Sequence, residues 1–238
     1  MEPYQFRMEA GLPMTSTAAA ERVTAFLRLV YGWMAAGLAI TALAAAFVVS
    51  SPAFLQAVVG NQIVFFGLII AELGVVFFLS GRAHSLAPGT AALLFVAYSA
   101  LNGATLSVVL LAYTGASVAT TFVVTAGMFA ALAAFGTTTS RSLAGVGQFF
   151  FMGLIGLILA SVVGMFWHND ALQFLISVVG VLVFTGLTAY DAQRLKQMAL
   201  AIPEGQIGSM AVVGALSLYL DFINLFLFLL RFMGSRRD

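Results

Sequence analysis

The chain has 238 residues, of which 62% are apolar and only 8% are charged, and its formal net charge is +1 at pH 7. Soluble domains carry roughly 25% charged residues, so this composition excludes a soluble protein and predicts an integral membrane protein. The sequence contains no cysteine, which excludes disulfides, thiol catalysis and cysteine metal sites, and the near-zero net charge gives no case for nucleic acid as a partner.

Apolar runs of about 20 residues are long enough to cross a bilayer as helices, so we expect an all-α protein rather than a barrel. The pattern predicts a polar N-terminal arm over residues 1–22, a seven-helix membrane domain over 23–233 and a short tail over 234–238. Along span two, glycines recur every seven residues, which predicts a seam where a neighbouring backbone packs closely. These glycines are Gly60, Gly67, Gly74 and Gly81. The seven predicted spans cover residues 23–49, 61–80, 90–112, 116–135, 143–166, 171–195 and 210–232.

The loop charges predict how the chain is oriented in the membrane. With seven spans, one side carries most of the basic residues, namely Arg7, Arg22, Arg28, Arg82, Arg141, Arg194 and Lys196. The positive-inside rule then places the N-terminus in the cytoplasm and the C-terminus outside. The basic tail, with Arg231, Arg236 and Arg237, argues against this orientation. If span seven were re-entrant, the tail would be cytoplasmic.

Span seven carries the chain's most unusual residue, because Asp221 lies in the middle of an apolar helix. A carboxylate at that depth costs roughly 2.5–3.5 kcal/mol on insertion scales, so it usually faces protein or water. Helical spacing places it on one stripe of the helix that is mostly polar. The stripe consists of Gly214, Ser217, Asp221, Asn224, Phe228 and Arg231. We therefore expect span seven to be the central helix, surrounded by the other six.

A second acidic residue, Asp191, lies near the predicted cytoplasmic end of span six, and span seven enters the membrane from the same side. The two aspartates are therefore expected at similar depth. Two carboxyl groups close together in a low dielectric cannot both ionise easily, so the pair would hold a proton and respond to pH, and it could receive a cation. The alternative for Asp191 is a local pair with Arg194, one turn further along the helix.

The third acidic residue inside a span is Glu72. If spans two and seven are neighbours, their opposite directions would place Arg82 level with Asp221 and Glu72 level with Arg231, which predicts an inner and an outer charge layer. The alternatives are an interhelical hydrogen bond for Glu72, a headgroup contact for Arg231 and a simple positive-inside loop charge for Arg82.

Two strings in the last two spans carry a family resemblance. The strings LTAYDAQRLKQM around Asp191 and ALSLYLDFINLFLFLLRFMG around Asp221 resemble the paired signatures of the Bax inhibitor, or transmembrane Bax inhibitor motif, family. Chain length, seven spans and a short polar arm agree with the bacterial branch of that family, whereas spans one to five match only in general character. The resemblance implies a central span seven wrapped by six helices, and it implies multi-pass insertion in the bacterial inner membrane.

The resemblance also implies a function, a pH-dependent calcium leak. In that reading Asp191 and Asp221 form the pH sensor and gate, Arg82 latches the closed state, and Glu72 meets Arg231 in an outer ion pair. Calcium would be the transported ion at a weak transit site on the two aspartates, with Ser217 and Asn224 lining the path. No cofactor is expected, and no Ser/His or HExxH arrangement in a span suggests an enzyme. The rival function is a regulatory protein that binds another membrane protein, such as a membrane protease, and moves no ion.

Overall fold

The structure is a computed structural model that describes residues 15–167 and 169–237, and within these ranges its regular elements are helices. A single 3₁₀ turn, Glu204–Gln206, precedes the last helix. The α-helices are α1 (Ser16–Ser50), α2 (Pro52–Val58), α3 (Gln62–Gly81), α4 (Pro88–Ala112), α5 (Gly115–Thr138), α6 (Ala144–Phe166), α7 (Asp170–Ala201) and α8 (Ile207–Met233).

In the described residues, seven of these helices are long and apolar enough to span a membrane, which confirms the predicted all-helical class and span number. The exception is α2, a seven-residue helix that the sequence analysis did not predict. It begins with Pro52, whose fixed φ and missing N–H suit a first helical position. Predicted spans one to seven therefore correspond to α1 and to α3 through α8.

Two helices, α1 and α7, extend furthest beyond their predicted spans. Helix α1 begins at Ser16, inside the predicted polar arm, because the Thr15 hydroxyl accepts a hydrogen bond from the Ala18 N–H and caps the helix. The first 14 residues of that arm lie outside the described residues. Helix α7 continues to Ala201, so Asp191 lies ten residues before its end. At 1.5 Å per residue, about 15 Å of helix follows Asp191.

The last helix is the most buried of the seven spans. In the most apolar part of α8, 67% of the residues are buried, against at most 39% in any other span. It packs against α1, α3, α4, α5 and α7. Wrapping by all six other spans is not confirmed. Large side chains of α8, including Leu216, Leu218, Tyr219 and Leu225, are almost completely enclosed.

Glycine permits close helix contacts at two crossings. A methyl group on Gly103 of α4 would clash with the backbone oxygen of Thr41 on α1, and one on Gly136 of α5 would clash with that of Ala189 on α7. The predicted glycine seam of span two is wrong, because a methyl group at Gly67, Gly74 or Gly81 would meet open space. Helix α3 lies at the edge of the bundle and packs mainly on α4, and none of the described residues approaches the glycine face within 4 Å.

The ends of the helices show that α8 crosses the whole bundle. At one end, the Arg22 side chain of α1 donates to the backbone oxygens of Ala199 and Ile202, beside the connection into α8. At the other end, the backbone of the tail pairs with the connection between α4 and α5, where Thr114 N donates to Ser235 O at 3.1 Å. The continuous path of α8 favours a full crossing over the re-entrant alternative for span seven. Which side faces the cytoplasm stays a prediction.

Candidate functional site

A cavity of about 950 Å³ lies between α3 and α6 and reaches inward to α7 and α8. It contains the three acidic residues that the sequence analysis singled out, so the fold brings these residues, from three different spans, to one space. Its apolar lining comes mainly from α3 and α6. Its polar or titratable lining residues are Glu72, Tyr98, Gln148, Tyr190, Asp191, Arg194, Ser217, Asp221 and Asn224.

Asp221 occupies the inner wall of this cavity. Its side chain is held in the middle of α8, the most buried helix, and the residue is only 5% exposed. Its Oδ2 atom is buried and makes no hydrogen bond with any of the described residues. A buried carboxyl oxygen without a donor is costly, and such groups often have a role other than stability.

Asp191 faces the same cavity from α7, and its side chain is 16% exposed. The Arg194 guanidinium lies 4.0 Å from Asp191 Oδ1, one turn further along α7, and is itself 55% exposed. The local pair that was the alternative for Asp191 is therefore formed, but at the outer limit of an ion pair. A small pocket of about 30 Å³ continues past Asp191 to Gly214 and Ser217 of α8.

Glu72 is bound quite differently, because both of its carboxylate oxygens accept hydrogen bonds. Asn102 Nδ2 donates to Oε2 at 3.0 Å, and Thr105 Oγ1 donates to Oε1 at 2.8 Å. The Tyr219 hydroxyl of α8 donates to Asn102 Oδ1 at 2.8 Å and lies 2.6 Å from Thr41 Oγ1 of α1. A continuous buried network thus joins α3, α4, α8 and α1.

The sequence analysis missed four of the five members of this network. It considered an interhelical hydrogen bond for Glu72 but named no partner. The available signal was the presence of Thr41, Asn102, Thr105 and Tyr219 inside apolar spans, where a polar group needs a partner. Spacing along single helices could not show that they converge.

The predicted outer ion pair between Glu72 and Arg231 is not formed in the described residues. Glu72 is hydrogen-bonded at the depth of Tyr219, and Arg231 lies twelve residues further along α8. That separation is about 18 Å along the helix axis, too far for a salt bridge. Arg231 instead extends toward α7, where its Nη1 donates to Gln173 Oε1 at 3.4 Å.

Arg82 is exposed at the end of α3, and its guanidinium lies 5.2 Å from the centre of the Phe78 ring. Among the described residues, the salt bridge to Asp191 comes from Arg194, and none joins Arg82 to either aspartate. The latch role of Arg82 thus stays a prediction that this conformation does not display. Glu72 lies at the depth of Tyr219, and Arg82 follows Glu72 by ten residues. Arg82 is therefore about 15 Å closer than Glu72 to the end of the bundle.

Two neutral polar residues complete the inner wall, as the sequence analysis expected of the α8 stripe. Ser217 and Asn224 lie one turn before and one turn after Asp221 and line the same cavity. Asn224 Nδ2 donates to the Leu220 backbone oxygen at 2.8 Å, which orients the side chain and leaves its oxygen available to water or a cation. The wall therefore offers a row of oxygen atoms along α8.

Comparison with known proteins identifies relatives along nearly the whole chain. A family model described as inhibitor of apoptosis-promoting Bax1 matches residues 23–238. The inner membrane protein YbhL of Escherichia coli strain K12 is 47% identical over 215 residues, covering 89% of this chain and 92% of YbhL. An uncharacterized protein of Borreliella burgdorferi is 44% identical, covering 90% of this chain and 93% of its own length. An uncharacterized protein of Deinococcus radiodurans is 41% identical, with 95% and 97% covered.

Proposed function

The chain belongs to the Bax inhibitor family, and from this premise we propose that it is a pH-sensitive calcium leak gated by Asp191 and Asp221. The observation that carries the proposal is the buried Oδ2 of Asp221, which has no partner among the described residues and lies on a cavity shared with Asp191. A scaffold gains nothing from such an atom, whereas a proton-controlled gate requires a carboxyl group that water reaches only when the gate moves.

In the closed state, the two aspartates hold one proton between them, so that the pair carries a single negative charge. The other titratable groups on the cavity are Glu72, Tyr98, Tyr190 and Arg194. Glu72 already has two donors, and Arg194 points outward, so neither neutralises Asp221 directly. When pH rises and the shared proton leaves, two negative charges face each other in a low dielectric. Their repulsion separates α7 from α8 and extends the cavity along the polar stripe of α8.

Calcium requires about six to eight oxygen ligands. The two aspartates supply at most four, and the Ser217 hydroxyl, the Asn224 side-chain oxygen and water would provide the rest. A set with so much water favours a weak transit site over tight storage. The direction of the pH effect follows from the same charges, because deprotonation both opens the path and makes it attractive to a divalent cation.

The test is calcium entry into dye-loaded liposomes that contain the purified protein, measured between about pH 6 and pH 8. We expect flux that increases with pH in the wild type, and a flux that no longer depends on pH in Asp191→Asn and in Asp221→Asn. Glu21→Gln is the matched control, since it removes one exposed negative charge at the start of α1, away from the cavity. The control should behave as the wild type does.

Wild-type flux equal to that of empty liposomes at every pH would contradict the leak. The rival function, regulation of another membrane protein without ion transport, would then take its place. If the flux still depends on pH in both aspartate variants, the protein is a leak, but its pH sensor is not this pair of aspartates. The names of the relatives leave this choice open, since YbhL is described only by its membrane. That description also supports the inner membrane as the location of this chain.

A further inference from the structure

A second cavity, of about 450 Å³, lies at the opposite end of the bundle from the α7–α8 connection, between the start of α7 and the end of α8. Nothing in the proposed leak uses it. It is lined by two arginines, Arg231 and Arg236, and by the amide side chains of Asn169 and Gln173. Two aromatic residues, Phe174 and Phe232, also line the cavity.

Both arginines are held at the cavity by identifiable contacts. Arg231 lies in the last turn of α8 and donates to Gln173 Oε1, and its guanidinium lies 5.9 Å from the centre of the Phe228 ring. Arg236 follows the helix, and its backbone forms an antiparallel bridge with Tyr113. Backbone bonds on both sides of Arg236 fix this part of the tail, including Arg237 N to Ala112 O at 3.0 Å. The two guanidinium groups are therefore brought to one cavity by a folded tail.

The charge of this cavity favours an anion. Two arginines face one acidic residue, Asp170, and within residues 15–167 and 169–237 neither arginine makes a salt bridge. The planar fork of a guanidinium matches the oxygens of a phosphate and binds them through paired hydrogen bonds. An arginine near a membrane surface is also attracted to anionic headgroups. Asp170 and the Asn169 oxygen would accept hydrogen bonds from hydroxyl groups next to such a phosphate.

The surroundings of the cavity indicate where the phosphate comes from. Phe174 is 59% exposed and Phe232 is 52% exposed, and their ring centres lie 5.6 Å apart. Exposed phenylalanine rings on spanning helices suit contact with acyl chains, because the core of the bilayer is hydrocarbon. A phosphate held by the arginines would thus lie directly beside an apolar surface that an acyl chain can follow.

We propose that this cavity binds the phosphate headgroup of an anionic phospholipid, such as a phosphatidylglycerol, from the leaflet on the side of the C-terminal tail. The loop charges predict that this is the outer leaflet. The site would attach the tail and the end of α8 to the membrane, and it gives Arg231 a role other than the predicted pair with Glu72. It does not depend on calcium transport.

The test is native mass spectrometry of the purified full-length protein in detergent, with phosphatidylglycerol and phosphatidylcholine as separate probes. We expect one phosphatidylglycerol to be retained in preference to phosphatidylcholine. The double variant Arg231→Gln/Arg236→Gln should weaken that binding roughly 10- to 30-fold, from the loss of two arginine–phosphate interactions. The matched control is Arg141→Gln/Arg237→Gln, which also removes two exposed arginines but none that lines the cavity. It should change binding less than twofold.

Equal losses in both double variants would overturn the proposal, because the lipid would then respond to net charge alone. Equal retention of the two lipids by the wild type would overturn it as well. Displacement of the lipid by millimolar inorganic phosphate or glycerol 3-phosphate would identify a soluble phosphate as the ligand and contradict the lipid assignment. If the glutamine variant does not fold, Arg231→Lys/Arg236→Lys keeps both charges but loses the guanidinium fork, and it should still bind more weakly than the wild type.

Discussion

Glu72 and Asp221 are both buried acids on the same cavity, but their surroundings are opposite. Glu72 is 9% exposed and accepts a hydrogen bond on each carboxylate oxygen. Asp221 is 5% exposed, and its Oδ2 has no hydrogen-bond partner among the described residues. Equal burial therefore says little about what a membrane carboxylate does. The donors around it separate an acid that holds helices together from one that is ready to exchange a proton.

Glu72 is therefore expected to stabilise the folded protein, whereas Asp221 is expected to destabilise it. A buried carboxylate with good donors stabilises the contacts between its helices, and removing it leaves those donors unpaired. A buried carboxylate without donors costs free energy, so a neutral side chain of similar shape should be tolerated or even preferred. Three substitutions test this difference, with expected effects that become progressively smaller.

The largest loss of stability is expected for Glu72→Ala. The substitution leaves Asn102 Nδ2 without its acceptor, and Thr105 keeps only its bond to the Asn102 backbone oxygen. We expect the free energy of unfolding in mixed micelles to fall by about 1–3 kcal/mol, the cost of an unsatisfied buried donor. Glu21→Ala, at an exposed position, is the control and should change stability by less than about 0.5 kcal/mol. Equal stability of the two variants would show that the Glu72 network does not hold the helices together.

A smaller loss is expected for Tyr219→Phe. The variant keeps the ring packing against Phe95 and Tyr98, at centroid distances of 5.8 Å and 5.6 Å, but loses the hydroxyl between Thr41 and Asn102. Interhelical hydrogen bonds in membranes contribute about 0.6 kcal/mol on average and at most about 1.7 kcal/mol, so we expect a decrease in that range. The measurement is again unfolding in mixed micelles.

Tyr190→Phe is the matched control for this substitution. Tyr190 lines the same cavity, but its hydroxyl is not part of the network that joins Glu72, Asn102 and Tyr219. Its removal should change the free energy of unfolding by less than about 0.5 kcal/mol. A loss at Tyr190 as large as that at Tyr219 would mean that the hydroxyl network is not the source of the effect.

The sequence was sufficient to predict the number of spans and to single out Asp221. Seven apolar runs were sufficient to predict seven spans, because the bilayer requires helices of that length. Asp221 was recognisable because a charged residue in such a run is expensive. The helix stripe around it correctly predicted that Ser217 and Asn224 would share its surroundings, since helical spacing is a property of one chain segment.

The failures have a common physical cause, the register between helices. The predicted pair of Glu72 and Arg231 assumed that Arg82 lies at the same depth as Asp221. Glu72 instead lies at the depth of Tyr219, because Asn102 is hydrogen-bonded to both residues. The glycine repeat of span two had the correct helical period but faces open space, because periodicity does not say which face is covered. Register depends on side chains of two helices at once, which spacing along one helix does not contain.

The smallest change in stability is expected for Asp221→Asn, the substitution that distinguishes the two acids most sharply. The amide has nearly the same shape as the carboxyl group and carries no charge, so the cost of burying a charge disappears. Since Oδ2 donates to and accepts from no described residue, no hydrogen bond is lost in exchange. We expect the free energy of unfolding to stay within about 0.5 kcal/mol of the wild type.

The decisive measurement pairs this variant with Glu72→Gln, examined for both stability and calcium flux. The glutamine has one acceptor oxygen for the two donors of Asn102 and Thr105, so Glu72→Gln should lose stability while its flux still responds to pH. Asp221→Asn should keep its stability while its flux no longer responds to pH. The reverse result, a pH response that depends on Glu72 and a stability that depends on Asp221, would exchange the roles of the two acids. It would also mean that hydrogen-bond donors do not separate structural from titrating carboxylates in this cavity.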